Sequence, residues 1–397
     1  MSLSHLLPTY FMWLLQDSFR LFLVVLTVFV LYLSFFFVAH PTTIDPIFFI
    51  MFVPCYLVFS SGSLLVVYVS YELSLLPIIY IIVKWGSYPD RSLRALMLFI
   101  YTRVFSLPLI VGLFYIYSCS FTFIYLLVPS VILSTPVLRL LIFLAFGVKL
   151  PVYGLHYWLP IAHVEAPTFG SMILAGILLK LGGIGLIRFF LFLDLSFLRT
   201  YVLSYLLVFL VLSTLVCCCQ SDFKRIVAYS SVSHMISIPL VALAGFFGSL
   251  KVSVLLIVFH GLRSPVLFSL VGILYSVYST RQLVLIRGLI LTSPLLSFIC
   301  LISFLFSLSA PPYPSFFSEV FFFVFVYFLS SSSLMFLLMF ALISLVYNLS
   351  WLSIILFSKS YSSVCSLDSS SSSFFLLLPL LYSHLFSFIM LFLIPLI

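Results

Sequence analysis

Long apolar runs follow one another along almost the whole chain, with hardly any charge inside them. They fall near residues 20–38, 46–60, 63–83, 95–117, 136–158, 168–190, 200–219, 226–246, 252–278, 288–309, 314–330, 332–357 and 374–397. About 20 apolar residues in helical rise cross the ~30 Å hydrocarbon core of a bilayer. Lipid offers no partner to a backbone N–H or C=O, so each run is expected to satisfy its own backbone as a helix. If 288–309 and 314–330 form one helix interrupted by Pro311, Pro312 and Pro314, the chain makes about twelve spans. The fold class expected is therefore an all-α polytopic membrane protein. Hydrophobic residues make up 64% of the chain and charged ones 7%, which excludes a soluble or disordered protein. We expect one membrane domain over 1–397, with N-terminal helices in 1–60, a core in 61–330 and C-terminal helices in 331–397. A Ser-rich loop near 358–373 cannot bury a face. The short stretch 121–134, with Pro129, is expected to be an interfacial connection.

The formal charge of +8 does not point to nucleic acid, because the basic residues are scattered at helix ends. Summed by side, Lys84, Arg91, Arg94, Lys224, Arg225, Arg281, Arg287 and Lys359 fall together, opposite Arg20, Arg139, Arg188, Arg199 and Lys251. The first side is expected to face the matrix or cytoplasm. The cysteines show no metal-binding spacing; Cys217, Cys218 and Cys219 stand in an apolar run and read as small apolar filler. No metal is expected. The first residues lack the Arg-rich pattern of a transit peptide. Heavy use of Phe (47) and Tyr (23), with Asn at position 348 alone, resembles translation from a T-rich organellar strand.

The few charges inside apolar runs carry the chemistry. Lys149 and Lys180 stand among Leu, Ile and Gly, and of the three glutamates, Glu72 and Glu319 also lie in such runs. A charge at the bilayer centre costs about 2.5–3.5 kcal/mol on insertion scales, so it is read as functional. Buried acid and base placed together can hold each other ionised, and such a pair can switch. The plainer reading is a fixed ion pair locking two helices. Lys149 precedes Pro151, and Glu319 follows Pro311, Pro312 and Pro314. Two interrupted segments, each with one ionisable residue, are what an internally repeated transporter shows. Ser230, Ser233, His234 and Ser237 share one helical face, and His260 sits mid-segment with Ser264 one turn on. Each histidine fits either an interhelical hydrogen bond or proton relay. No nucleotide loop, haem pattern or hydrolytic triad is present.

The block Lys149-Leu-Pro-Val-Tyr-Gly-Leu-His-Tyr-Trp-Leu-Pro160, then His163-Val-Glu-Ala-Pro167 and Gly170-Ser-Met-Ile-Leu-Ala-Gly-Ile-Leu-Leu-Lys-Leu-Gly-Gly183, closely resembles the antiporter-like proton-pumping subunits of respiratory complex I. The likeness extends through Tyr71-Glu-Leu-Ser-Leu-Leu-Pro77, Gln220-Ser-Asp-Phe-Lys-Arg225, His260-Gly-Leu262 and Ser318-Glu319, covering roughly 60–325. It implies two inverted five-helix repeats with broken helices. It also implies that Glu72 pairs with Lys149, that Lys180 is the central proton carrier, that His234 and His260 lie on a hydrated axis, and that Glu319 is the exit-side group. Arg103, Phe105, Ile161, Arg263 and Pro265 depart from the usual family residues. The usual fourteen helices of the family exceed the about twelve expected here.

The function implied is proton translocation in the membrane arm, driven by NADH-to-ubiquinone electron transfer elsewhere. Flavin (FMN), iron–sulfur clusters and ubiquinone would belong to partner subunits, and this chain would bind no cofactor, structural lipid aside. Its partners would be other membrane-arm subunits, including further antiporter-like chains, and lipids, with no nucleic acid. Its place would be the mitochondrial inner membrane. Two other functions remain open: a subunit of a stand-alone cation/proton antiporter, and a structural membrane subunit that does not pump.

Overall fold

The computed structural model describes residues 3–38, 41–123, 136–152, 154–190, 199–245, 247–311, 313–358 and 371–392. Among them the regular structure is helical, apart from an isolated antiparallel bridge between Asp222 and Gln282. The helices are α1 (Leu3–Phe35), α2 (Pro41–Ser60), α3 (Leu64–Leu73), α4 (Leu75–Trp85), α5 (Arg91–Ser120), α6 (Pro136–Lys149), α7 (Trp158–Glu165) and α8 (Thr168–Ile173). A π-helical turn, Leu174–Leu178, joins α8 to α9 (Leu179–Phe190). There follow α10 (Arg199–Cys218), α11 (Phe223–Ala242), α12 (Phe247–Tyr278), α13 (Leu289–Thr292), α14 (Pro294–Ser307), α15 (Pro314–Leu329), α16 (Ser333–Phe357) and α17 (Ser371–Phe392). Residues 124–134 of the interfacial connection expected at 121–134, most of the Ser-rich loop and Lys359 lie outside the described residues.

Seven of the described spans are long and apolar enough to cross a membrane, and five shorter apolar helices accompany them. Several of the breaks between helices lie beside proline. The run expected as one helix at 63–83 breaks at Ser74, three residues before Pro77, whose missing N–H and ring disfavour a continuous helix. The run 136–158 ends at Lys149, before Pro151, and the chain resumes as a helix only at Trp158. Along 288–309, Pro294 opens a new helix at its first position, and Ser293 before it is extended.

The apolar stretches of α8–α9 and of α12 are wholly buried, whereas only a third of those of α5 and α16 is. The first two are thus the axis of the bundle. The others turn residues such as Val111 and Val346 outward, as a lipid-facing wall requires. Close approach at the axis depends on small residues. A Cβ on Gly182 would stand 2.9 Å from Cβ of Lys149, so glycine is what lets α9 lie against the end of α6.

Candidate functional site

The breaks explain how polar groups survive at the centre of so apolar a bundle. A helix end leaves carbonyls unpaired, and burial makes each one costly. At the end of α6 these are met one by one: Leu150 N–H donates to Phe146 O, Val152 N–H to Gly147 O, and the Trp158 indole to Val148 O at 2.9 Å. Lys149, the last residue of α6, is left with its ammonium pointing across to α3. There it donates to Tyr71 O at 2.9 Å and lies 2.8 Å from the centre of the Tyr71 ring. Tyr71 O also accepts from the Ser74 hydroxyl at the break between α3 and α4.

Glu72 is the next residue along, buried to 5% exposure. Its Oε2 lies 3.1 Å from Nη1 of Arg103 on α5. Neither carboxylate oxygen completes a hydrogen bond, so this is a contact ion pair of incomplete geometry. The family resemblance gave Glu72 to Lys149; in the structure Arg103 holds the carboxylate at contact distance, while Lys149 serves the carbonyl one residue earlier.

Lys180 is fully buried just beyond the π turn. A π turn shifts the backbone ladder from i→i+4 to i→i+5, and such bulges recur at functional sites. Here the Lys180 ammonium donates back to Ala175 O at 2.6 Å, inside the widened turn. It also lies 2.7 Å from Nδ1 of His260 on α12. The His260 and His234 rings have centroids 6.1 Å apart, and His234 Nδ1 is 3.5 Å from Glu319 Oε1. Four of the six residues singled out from the sequence therefore stand in file: Lys180, His260, His234, Glu319. A cavity lined by His234, Ser237, His260, Arg263, Ser318 and Glu319 opens at the end of the file. The serines of the α11 stripe donate their hydroxyls to their own helix, Ser233 to Ser230 O and Ser237 to His234 O, and Ser237 lines this cavity.

Three features went unread in the sequence. Arg263, noted only as a departure, is buried to 4% and contacts Glu319 Oε1 at 3.5 Å. His163 on α7 is fully buried, stacks on Phe268 and leaves both ring nitrogens without a hydrogen bond. The end of α7 is gripped by three cations: Arg94 pairs with Glu165 at 2.5 Å, Lys224 donates to Ala166 O, and Arg281 donates to Val164 O. Cations are favoured where helix carbonyls run out. All three belong to one predicted side of the membrane, which was the available signal that they could converge.

Among the described residues no cluster of His, Cys, Asp and Glu could hold a metal ion. Residues 61–347 match the family described as NADH:quinone oxidoreductase/Mrp antiporter, transmembrane. NADH-ubiquinone oxidoreductase chain 4 of Ceratitis capitata is 41% identical over 258 residues, 64% of this chain and 58% of that protein. The protein of the same name from Struthio camelus is 37% identical over 298 residues, 72% of this chain and 62% of its own length. The matched part thus spans about three fifths of these curated relatives. Among solved structures, a chain of respiratory complex I from Thermus thermophilus with bound NADH superposes with a TM-score of 0.83 at 23% identity, over 93% of this chain and 80% of that one. A chain of the Mrp complex from a Dietzia species gives 0.78 at 16% identity, over 89% and 70%. At such identities the likeness is one of fold.

Proposed function

We propose that this chain, which belongs to the NADH:quinone oxidoreductase/Mrp antiporter transmembrane family, is a proton-translocating subunit of the membrane arm of respiratory complex I. In this reading it sits in the mitochondrial inner membrane beside other membrane-arm subunits. NADH oxidation, flavin, iron–sulfur clusters and ubiquinone all belong to those partners, so the chain shares in an oxidoreductase without doing redox chemistry. The two inverted five-helix repeats and the about twelve spans belong to the same proposal.

One observation carries it: the file from Lys180 through His260 and His234 to Glu319. Lys180 can hand a proton to His260 directly at 2.7 Å. Between the two imidazoles a water must bridge, since direct transfer needs about 2.6–3.2 Å between heavy atoms. His234 then delivers to the carboxylate beside the cavity. Lys149 and Glu72 are the other station, on the far side of the α6–α9 contact made at Gly182. A proton crossing against the membrane potential costs about 2.3 kcal/mol per 100 mV, so the file must never be open to both sides at once.

The test is Lys180→Ala in the intact assembly, reconstituted in vesicles and driven by NADH. Pumping should collapse while assembly survives; near-native pumping would remove Lys180 from the path. The fold likeness to an Mrp complex chain supports a second reading, a cation/proton antiporter subunit. Ion exchange that persists without NADH or quinone would favour it.

A further inference from the structure

The one asparagine of the chain, Asn348, is buried on α16 where the break between α14 and α15 meets α12. Its Oδ1 lies 3.0 Å from the Ser307 hydroxyl and its Nδ2 donates to Ser344 O at 2.9 Å. Ser307 is the last residue of α14, and its carbonyl accepts from Arg263 Nη1 at 3.1 Å. The same nitrogen is 3.4 Å from Ser309 Oγ and 3.5 Å from Glu319 Oε1. Closed charge-assisted bonds run at about 2.7–2.9 Å. The guanidinium hydrogen-bonds the helix-end carbonyl and stands only at the limit of bonding distance from the carboxylate. Glu319 Oε1 is contested in turn: Ser309 donates to it at 2.5 Å, and His234 and Arg263 each stand 3.5 Å away.

We propose that Arg263 is a positioning residue for the terminal carboxylate: it competes with His234 for Glu319, and the carbonyl of Ser307, the residue whose hydroxyl contacts Asn348, holds Arg263 whenever the imidazole wins. This rests on the proton-relay reading above. A proton reaching His234 makes it a second cation beside the carboxylate. Like charges repel, and Arg263 retires to the negative end of the α14 dipole. Once the proton leaves, Arg263 takes the carboxylate back, so each cycle begins from a neutral pair. Arginine suits the post because it is permanently charged and carries several donors in a fixed fork. The charged and titratable groups around it are Glu319 on α15, His234 on α11, His260 on its own helix, Lys180 on α9 and Tyr347 on α16.

The experiment measures NADH-driven pumping and its pH profile in the intact assembly. Arg263→Gln should lower pumping about tenfold, less than the loss of a proton carrier, and displace the pH profile; Arg263→Lys should recover part of the rate. In a Glu319→Gln background, Arg263→Gln should cost nothing more, because the contested carboxylate is gone. Native rate and profile in Arg263→Gln, or additive losses in the double variant, would overturn the proposal. Should Arg263→Gln fail to assemble, Arg263→Lys and Asn348→Leu decide it: displaced pH profiles support the competition, and native profiles in both sink it. The two readings fail differently. Native pumping in Lys180→Ala defeats the relay, whereas impaired Lys180→Ala beside native Arg263 variants defeats only the role of Arg263.

Discussion

The Lys149 end and the Glu319 end are built from the same parts and wired differently. Each has a proline-marked break, an acid (Glu72 buried, Glu319 half-buried) and an arginine on a neighbouring helix: Glu72 with Arg103, Glu319 with Arg263. At the Lys149 end the arginine side chain is 38% exposed, and the lysine is spent on a backbone carbonyl and an aromatic face. At the Glu319 end the arginine is buried, and the acid continues through two histidines to Lys180. Alike inventories thus give one end that anchors its charges and one that links them. What separates them is the arginine: Arg103 turns outward at the rim of the bundle, whereas Arg263 is buried and must be met by further polar groups.

The sharpest break of that contrast is at the linked end. Lys180→Ala should lower NADH-driven pumping about a hundredfold or more, the worth of a positioned proton carrier. His260→Ala should follow it closely, because His260 Nδ1 is the side-chain contact of the Lys180 ammonium among the described residues. A pumping assay in vesicles checks both, and a His260 variant at native rate would show that the file is bypassed.

At the Lys149 end the effects should be smaller and coupled. Glu72→Ala or Lys149→Ala should each slow turnover, and the double variant should lose less than the sum, because the first change already leaves its neighbour uncompensated. Strict additivity would show that the two residues act apart, each with the partner it has in the structure. Gly182→Ala tests how far this end depends on close approach. Its Cβ would meet Lys149 Cβ at 2.9 Å, so the α6–α9 contact must open. Overpacking of this kind costs about 1–3 kcal/mol, readable as a lower melting temperature of the purified assembly. The smallest effect belongs to Arg103→Gln. With Arg103 gone, the buried Glu72 carboxylate still has the Lys149 ammonium nearby, so turnover should stay within roughly fivefold of native. A collapse as large as that of Lys180→Ala would mean the rim charge belongs to the path, and the contrast between the ends would fall.

Much of this was legible in one dimension. Apolar runs and scarce charge announce a bilayer, since the need to satisfy every backbone group in lipid leaves helices as the form such runs take. Pro151 and Pro314 marked the two main breaks, and Pro77 and Pro294 marked two that the hydropathy pattern alone ran through. Lys180, His234, His260 and Glu319 were found because each is polar where polarity is expensive. The end of α7 was half legible: Arg94, Lys224 and Arg281 were placed on one side, but not around one helix end.

What the sequence determined by itself is depth and punctuation: which segments enter the membrane, where they break, and which side chains must be accommodated there. These follow from local chemistry, the transfer cost of each residue and the missing N–H of proline. What only the tertiary structure decided is partnership. Lys180 meets a histidine 80 residues away, and Glu72 has Arg103 at contact distance while Lys149 bonds the Tyr71 carbonyl. Arg263 changes from an anomaly into the neighbour of Glu319. Such pairings depend on how each helix is rotated about its axis, and that is set by side-chain packing, by glycines such as Gly182 and by the π turn before Lys180. Hydropathy is nearly uniform around α3, α5 and α12, so there it carries almost no information about rotation; close packing supplies it.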